Sequence, residues 1–428
     1  MKIRFASLLL AMLMVLSLVP AAGAESNDKL IIWAATTDVQ VIMDNYFAKA
    51  YPDVEYELVL YSGGDYTQKL DAVLASNSDT RPDIISAEVS YGQRYVKMAG
   101  ATTSLYEMGI TEDELNVLTP ATVDFMRNAE GAPMGVSWQV TPGALFYRRS
   151  VAEKYFGVSE PQDFQALVKD WDTFIDTAKA LNEKSDGNVK MIATVDDFQN
   201  AFLNGARQQG WVVDGKLVID EAIYTLLDMA KLFWQEGYTQ EAGHWSTAWY
   251  QSLTENNTLC YMLPTWGLNY QLEPNCTNAE GVTSYGDWGL VEAPSPYTWG
   301  GTWLLATGNN SEKYDDIAKV MRYVASAEFQ KAYAADTGDF VSNVEAQTKV
   351  GETCTSGFLG GQNHYEVFAS VSKGVDPSIQ TEYDGFIAGY FVNAAMYPYM
   401  RGELELEEAI EAFKEEVDLY YDGAIIIE

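Results

Sequence analysis

The feature that most constrains the fold is an alternation of strand and helix patterns near the start of the chain. Apolar residues at 29–34 predict a strand, and apolar residues at helical spacing over 39–50 predict a helix. Residues 54–60 predict a second strand, Asp65 is expected to cap a second helix, and 82–86 predict a third, buried strand. Such alternation is typical of an α/β fold built on a parallel sheet with helices on both faces.

The first 24 residues predict a secretory signal peptide. Lys2 and Arg4 give a positive start, residues 5–19 are apolar, and small residues precede a cleavage site after Ala24. The apolar core is short for a membrane span, and no later stretch is long and apolar enough to be one. No cysteine lies near the cleavage site, so lipid attachment is not expected. We expect secretion across the cytoplasmic membrane, to the periplasm or the cell surface.

Length and charge limit the architecture and the partners of the mature chain. Cleavage leaves roughly 400 residues, which is too long for one ordinary core, so two domains are expected. The whole chain carries 27 basic and 61 acidic residues, a net charge of −34. Such a charge repels nucleic acid and anionic membrane surfaces, and it suits a neutral or cationic small ligand. We expect no nucleic-acid partner.

The cysteines and histidines are few. In a secreted chain one pair among Cys260, Cys276 and Cys354 can form a disulfide, which leaves one odd thiol. The sequence does not fix the pairing, although Cys260 with Cys276 closes the shortest loop. The cysteines are not closely spaced and only His244 and His364 are available as histidine ligands, so we expect no metal site and no cofactor.

An aromatic, glycine-rich segment at 297–306 is the strongest local indication of a binding site. Trp299 and Trp303 flank Gly300 and Gly301, and the apolar run that begins at Trp303 predicts a buried strand. Glycines let another molecule approach the main chain closely, and tryptophans offer flat apolar faces. A flat, hydroxylated ligand such as a sugar suits this combination. The alternative is that both tryptophans are ordinary core residues.

Five elements in a fixed order resemble the extracellular solute-binding proteins of carbohydrate ABC importers, the maltose-binding-protein-like family 1. They are 63–70 with 81–88, then 143–149, 263–268, 300–303 and 397–417. The resemblance extends over about residues 30–423, and it depends on the order of the elements rather than on any single motif. The absence of a lipid-attachment cysteine departs from many relatives in single-membrane bacteria and leaves the mode of cell retention open.

The resemblance implies a two-lobe periplasmic-binding-protein type II fold whose lobes are joined by three hinge crossings. The crossings are expected near 140–145, 290–295 and 337–341. The N-terminal lobe is expected to hold 25–140 and 295–337, and the C-terminal lobe 141–294 and 338–428. The ligand is expected between the lobes, outside the carboxyl ends of the strands, and closure about the crossings is expected to bury it.

A sugar ring needs flat apolar faces for its C–H side and polar groups for its hydroxyls. The candidate ligand-binding residues are Trp33, Tyr66, Glu88, Trp138, Gln139, Asp197, Trp245, Trp266, Trp299, Gly300, Gly301 and Trp303. Glu88 is equally well explained as a solvated loop acid, and Trp138 as a core residue. We expect Trp299 to be the better stacking residue, and Trp303→Ala to weaken binding far more than folding.

The sequence favours a monomeric carbohydrate receptor that delivers its ligand to the permease subunits of an ABC importer. No G-x-S-x-G elbow, phosphate loop or H-E-x-x-H is present, so an enzyme is not expected. An extracellular glycoside hydrolase remains the main alternative, because two suitable carboxylates are easily found among 61 acidic residues. A second alternative keeps the fold and binds a peptide, a polyamine or another cation between aromatics and carboxylates.

Overall fold

A computed structural model describes residues 29–61, 64–76, 80–376 and 379–427. The predicted signal peptide, its cleavage site and Gly63 lie outside these residues. Among the helices of the described ranges, none has the length and apolar character that a membrane crossing requires.

The strands are short and fall into two main sheets. In chain order they are β1 (Leu30–Ala34), β2 (Tyr56–Leu60), β3 (Ile84–Glu88), β4 (Gly135–Ser137), β5 (Gly143–Arg148), β6 (Lys190–Ile192), β7 (Val212–Val213), β8 (Lys216–Leu217), β9 (Thr258–Pro264), β10 (Trp288–Val291) and β11 (Thr302–Ala306). The first sheet has the order β2-β1-β3-β11-β4, and the second has the order β10-β5-β9-β6. Strands β7 and β8 form a separate small hairpin.

Helical segments surround these sheets. The α-helices are Thr37–Val41, Ala48–Ala50, Tyr66–Leu74, Val89–Lys97, Glu112–Leu115, Pro120–Asp124, Arg149–Phe156, Pro161–Gln165, Trp171–Lys184, Asp196–Ala201, Glu221–Gln235, Thr247–Ser252, Thr265–Gly267, Glu273–Asn275, Tyr314–Ala325, Ala327–Thr337, Val344–Gly351, His364–Val371, Asp384–Tyr390, Tyr397–Met400 and Leu406–Tyr421. The π-helical segments are Ile42–Phe47, Phe202–Ala206, Leu268–Leu272 and Phe391–Met396. The 3₁₀ turns are Leu105–Met108, Ser311–Lys313 and Ser372–Gly374.

The first sheet confirms the predicted alternation but is only partly parallel. Strand β1 runs parallel to both β2 and β3, as expected. Strand β11 runs antiparallel to β3 and β4, with Thr302 opposite Glu88 and Ala306 opposite Ile84. The chain re-enters this sheet at the carboxyl end of β3, so the returning strand has to run in the opposite direction. The result is a mixed sheet.

Both faces of the first sheet are buried, as a doubly covered α/β sheet requires. Side chains alternate along β3, so Ile84 belongs to one apolar cluster and Ile85 to another. Helix Tyr314–Ala325 covers the first face, while helices Tyr66–Leu74 and Val89–Lys97 cover the second. The expected cap at Asp65 is wrong: this side chain makes no capping bond and instead pairs with Lys69.

The same alternation along β9 explains why the expected disulfide between Cys260 and Cys276 is wrong. All three cysteines are free thiols. Cys260 lies on one face of the second sheet, in the cluster that includes Met262, whereas Cys276 packs in the cluster on the opposite face with Tyr261. The sheet itself therefore separates the two sulfur atoms.

Three chain segments lie side by side between the two sheets. Segment 138–143 bonds on one side to 340–342, through Val140 N to Phe340 O at 3.0 Å and Ser342 N to Trp138 O at 2.9 Å. On its other side Gly143 N donates to Tyr297 O at 2.8 Å. That these segments act as hinges, and that the lobes have the expected bounds, stay predictions.

Candidate functional site

A cleft of about 390 Å³ opens between the edge of the first sheet and the segment that follows β9. It is lined by Thr36, Thr37, Asp38, Glu88, Gln139, Trp266, Tyr270, Gln271, Trp299, Gly300, Gly301 and Thr302. Its walls thus come from the edge of the first sheet, from the segments between the sheets and from the helical residues that follow β9. Clefts of this size and composition are ordinary sites for small ligands.

The polar wall of the cleft follows from the parallel pairing of β1 with β3. Thr36 and Asp38 follow the end of β1, and Glu88 is the last residue of β3. Because these strands are parallel neighbours, their carboxyl ends meet at one edge of the sheet. The fold therefore brings two carboxylates, Asp38 and Glu88, to the same wall.

The aromatic wall is formed where β9 gives way to helical structure. Helix Thr265–Gly267 carries Trp266, and the π-helical segment after it carries Tyr270. The Trp266 indole Nε1 donates to the Trp299 carbonyl at 3.0 Å, and the two rings meet with centroids 5.1 Å apart. The Tyr270 hydroxyl donates to Asp38 Oδ1 at 3.2 Å, which joins the aromatic wall to the polar wall.

The two glycines at 300 and 301 are needed for this meeting of rings. Gly300 has φ of 80° and Gly301 has φ of 108°, both in the region that favours glycine. A Cβ on Gly300 would lie 2.8 Å from the Trp266 Nε1 atom. Thr141 fixes the turn from behind by donating to the Gly300 carbonyl at 2.9 Å. The sequence analysis expected the glycines to allow a ligand to approach the main chain. In the structure, the group that lies close to Gly300 is the Trp266 ring.

A second aromatic layer lies behind Trp299. Trp245 stacks on Trp299 with centroids 6.0 Å apart and planes 25° apart, and its own φ is 64°. The His244 ring lies 5.3 Å from Trp299 and 5.0 Å from Trp245. This layer limits the positions open to the Trp299 ring.

Asp197 does not line the cleft but contacts His244 in the layer behind Trp299. Its carboxylate is fully buried, and Oδ1 lies 2.9 Å from His244 Nε2. Its Oδ2 accepts from the backbone nitrogens of Ala193 and Thr194 at 3.3 and 3.4 Å. Burial raises the pKa of Asp197, opposed by the hydrogen bond to His244. Asp197 thus holds the histidine against the tryptophans.

The structure brings half of the predicted site residues together at the cleft. These are Glu88, Gln139, Trp266, Trp299, Gly300 and Gly301. Trp245 and Asp197 belong to the layer behind them. Ligand contact by any of these residues stays a prediction.

The other predicted residues pack within the first sheet or between the sheets. Tyr66 is 3% exposed, and its hydroxyl donates to the carbonyls of Ser86 at 2.8 Å and Trp33 at 3.0 Å. The ring of Trp33 is half-buried and meets Tyr61 edge-on at 4.8 Å. Trp138 is fully buried in the core that continues from the first sheet to the second.

Trp303 also lies in a core. It is 5% exposed, its Nε1 donates to the Thr122 carbonyl at 2.7 Å, and its ring lies 5.0 Å from that of Phe125. Its polar atom and most of its apolar surface are thus already used by the protein. The difference from Trp299 follows from position, since Trp303 is inside β11 and Trp299 precedes the turn.

Several cleft residues were not among the predicted ones. Asp38 carried a usable signal, because it follows β1 just as Glu88 follows β3. Tyr270 and Gln271 carried none, because they lie on a π-helical segment whose spacing differs from the 3.6-residue period.

The cleft is acidic and contains no compensating cation among the residues that line it. Burial raises the pKa of both Asp38 and Glu88, and for Asp38 the hydrogen bond from Tyr270 opposes this shift. The Glu88 carboxylate makes no hydrogen bond or ion pair with any residue that the structure describes. Over the described ranges, no group of three or more His, Cys, Asp and Glu side chains is arranged to hold a metal ion.

The family model described as bacterial extracellular solute-binding protein matches residues 43–353. Among curated proteins, none matches the chain.

Solved structures share the fold at low sequence identity. An extracellular solute-binding protein of family 1 superposes with a TM-score of 0.78 at 19% identity, over 91% of this chain and 99% of that one. An ABC-transporter-associated binding protein from B. animalis subsp. lactis Bl-04, solved with β-1,6-galactobiose, gives 0.71 at 16%, over 94% and 99%. The galacto-N-biose-/lacto-N-biose I-binding protein from Bifidobacterium longum, solved with lacto-N-biose, gives 0.72 at 14%, over 94% and 98%. The predicted periplasmic-binding-protein fold is thereby confirmed.

The placement of the two tryptophans predicts that Trp303→Ala and Trp299→Ala have different effects on folding. Trp303→Ala removes a buried ring and a satisfied hydrogen bond, and should lower the free energy of unfolding by about 3–5 kcal/mol. Trp299→Ala removes a half-buried ring at a cleft and should cost less than about 2 kcal/mol. Urea unfolding followed by circular dichroism measures both. Equal losses would contradict the assignment, as would a stable Trp303→Ala.

The burial of Asp339 leads us to expect that the free energy of unfolding depends on pH. It is buried, and burial followed by the nearby charge of Asp38 raises its pKa from 3.8 to about 7. Between these values the folded state keeps a proton that the unfolded chain has released. The free energy of unfolding should therefore fall as pH rises from about 4 to about 7. Asp339→Asn should flatten this dependence in urea titrations at pH 5 and pH 8. The exposed Asp113→Asn serves as control, and an unchanged slope in Asp339→Asn would refute the account.

Proposed function

The chain belongs to the bacterial extracellular solute-binding protein family, and from this premise we propose that it captures a carbohydrate in the cleft for an ABC importer. The observation that carries the proposal is the pair of tryptophans, Trp266 and Trp299, facing a polar wall that contains Asp38, Glu88 and Gln139. Flat apolar rings opposite acceptors are the arrangement that a pyranose needs.

The aromatic wall takes the apolar face of the sugar. The rings of Trp266 and Trp299 are half-buried, so part of each surface remains open to the cleft. Their mutual angle of 68° presents two faces rather than one. Two rings in different planes suit two sugar units, and we propose an oligosaccharide of about two units as the ligand.

The polar wall takes the hydroxyls. A carboxylate accepts from two hydroxyls, and an amide both donates and accepts. Gln139 is 6% exposed, and its side-chain amide bonds to no residue that the structure describes, although it reaches the cleft. The amide has no partner among the described residues, so a ligand that supplies donor and acceptor groups can bond to it.

The named complexes support this choice of ligand class. The relatives from B. animalis subsp. lactis and Bifidobacterium longum were solved with β-1,6-galactobiose and lacto-N-biose respectively. We carry over from them the class of ligand and not its identity.

Delivery to the permease follows from the proposed two-lobe arrangement. The lobes are those expected above, 25–140 with 295–337 and 141–294 with 338–428. The Tyr270 hydroxyl already reaches Asp38. Closure about the segments between the sheets buries the ligand, so the permease meets a distinct closed surface. The chain acts outside the cytoplasmic membrane as a monomer, after removal of residues 1–24.

The function is a binding function rather than catalysis. A glycoside hydrolase needs one carboxylic acid and one ionised carboxylate on either side of the scissile bond. Asp38 and Glu88 instead share one wall of the cleft, at the ends of neighbouring strands.

Isothermal titration calorimetry against mono- and disaccharides tests this function. A bound sugar should also raise the free energy of unfolding, by about 2.7 kcal/mol at a hundredfold excess over Kd. Trp266→Ala and Trp299→Ala should each weaken binding about 10- to 100-fold, through lost ring contact worth about 1.5–3 kcal/mol.

Tyr285→Ala is the matched control, since this aromatic side chain is 52% exposed and lies outside the cleft. It should bind like the unmodified protein. Absence of heat and of stabilisation across the panel would refute the proposal, as would release of free monosaccharide from any disaccharide during the titration.

A further inference from the structure

The carboxylates of the cleft lack the partners that buried charges ordinarily have. Glu88 bonds to no described residue, and burial alone raises its pKa. Asp38 has a single neutral donor, the Tyr270 hydroxyl. A largely buried carboxylate is costly unless it is paired or fully hydrogen-bonded. The protein therefore supplies no cationic partner for either carboxylate among the residues that line the cleft.

Two of the buried acids elsewhere in the molecule pair with cationic side chains, whereas the buried Asp339 has no such partner among the described residues. Asp83 pairs with Lys313 at 2.9 Å, and Asp384 pairs with Arg207. Asp197 faces His244 at 2.9 Å. The residues that line the cleft include no lysine, arginine or histidine. A positive charge beside Asp38 and Glu88 would therefore have to come from the ligand.

The aromatic wall is also suited to a cation. Trp266, Trp299 and Tyr270 lie along the cleft that contains the two acids. The face of an aromatic ring attracts a cation, most strongly for tryptophan, and the attraction grows when water is excluded. Aromatic faces and carboxylates around one cleft favour a ligand that carries positive charge and a flat apolar face together.

We propose that the sugar taken by this cleft is an amino sugar, whose ammonium group binds at the polar wall beside Glu88 and Asp38. This inference depends on the proposed carbohydrate function and specifies its ligand class. The ammonium donates charge-assisted hydrogen bonds to the two carboxylates, and these are stronger than bonds from neutral hydroxyls. The Gln139 amide bonds a neighbouring hydroxyl, and the pyranose ring stacks on Trp266 or Trp299.

The geometry distinguishes three forms of one sugar. A protonated amine compensates one of the two carboxylate charges and lies beside the other. A hydroxyl in the same position donates one hydrogen bond and leaves both charges uncompensated. An N-acetyl group carries no charge and adds bulk at the polar wall. The order of affinity is therefore amine first, with the hydroxyl and N-acetyl forms behind.

Calorimetric titration of the whole mature chain compares three disaccharides of identical linkage and ring configuration. They are the β-1,4-linked glucosamine disaccharide, its N,N′-diacetyl form and cellobiose, with the three galacto-configured counterparts run alongside. In one of the two series the free amine should bind at least about 10-fold more tightly than both neutral forms at low salt. Added sodium chloride should reduce that advantage.

Isosteric variants test the named acids. Glu88→Gln and Asp38→Asn remove charge and keep shape, and the amide oxygen introduced by Asp38→Asn can still accept from the Tyr270 hydroxyl. Each should reduce the ratio of amine to hydroxyl affinity several-fold, with a smaller change for the neutral sugar. Glu153→Gln, at an exposed helical site away from the cleft, should leave the ratio unchanged. An unaltered ratio in both cleft variants overturns the assignment.

The remaining outcomes distinguish failure of the amino-sugar inference from failure of the proposed carbohydrate-binding function. Binding of a neutral form as tightly as the amine, in whichever series binds, overturns the amino-sugar inference and leaves the carbohydrate function standing. Binding of none of the six sugars overturns both. Spermidine is titrated as a cation without a sugar ring, and tight spermidine binding without sugar binding also overturns both.

Discussion

The close approach of Trp266 to the backbone at Trp299 is the contact on which the cleft depends. It requires Gly300, because a Cβ there would lie 2.8 Å from the indole nitrogen that donates to the Trp299 carbonyl. The contact joins the segment after β9 to the segment before β11, and so it ties the second sheet to the first. Trp245 and His244 pack against the Trp299 ring on its other side and so complete the aromatic wall.

The polar wall has a different origin, in strand direction. Parallel neighbours end at the same edge, which is why Asp38 and Glu88 lie together although they are 50 residues apart in sequence. The chain is acidic throughout, yet most of that charge is solvated or paired. Asp38 and Glu88 differ from the other acids because both line the cleft, where no lining residue carries a positive charge, and this gives the cleft a preference for a cationic ligand.

The sequence was sufficient to predict the edge of the sheet and the aromatic turn, because both follow from local patterns. The sequence was not sufficient to predict which of the aromatic side chains are buried. The local sequence around Trp138 and Trp303 does not distinguish them from Trp299. Only tertiary packing determines that the first two rings are buried and that the Trp299 ring is partly open to the cleft. Face alternation along β9 likewise decided against a disulfide from Cys260 that loop length had favoured. Tyr270 was missed because a π-helical turn disrupts the usual helical period.

The crystal structure of the protein with a disaccharide that binds it tests the central claim most directly. The account predicts a sugar ring against Trp266 or Trp299, with polar substituents within hydrogen-bond distance of Glu88 or Gln139. A sugar bound instead on the outer surface of either sheet, with the cleft empty, would contradict it.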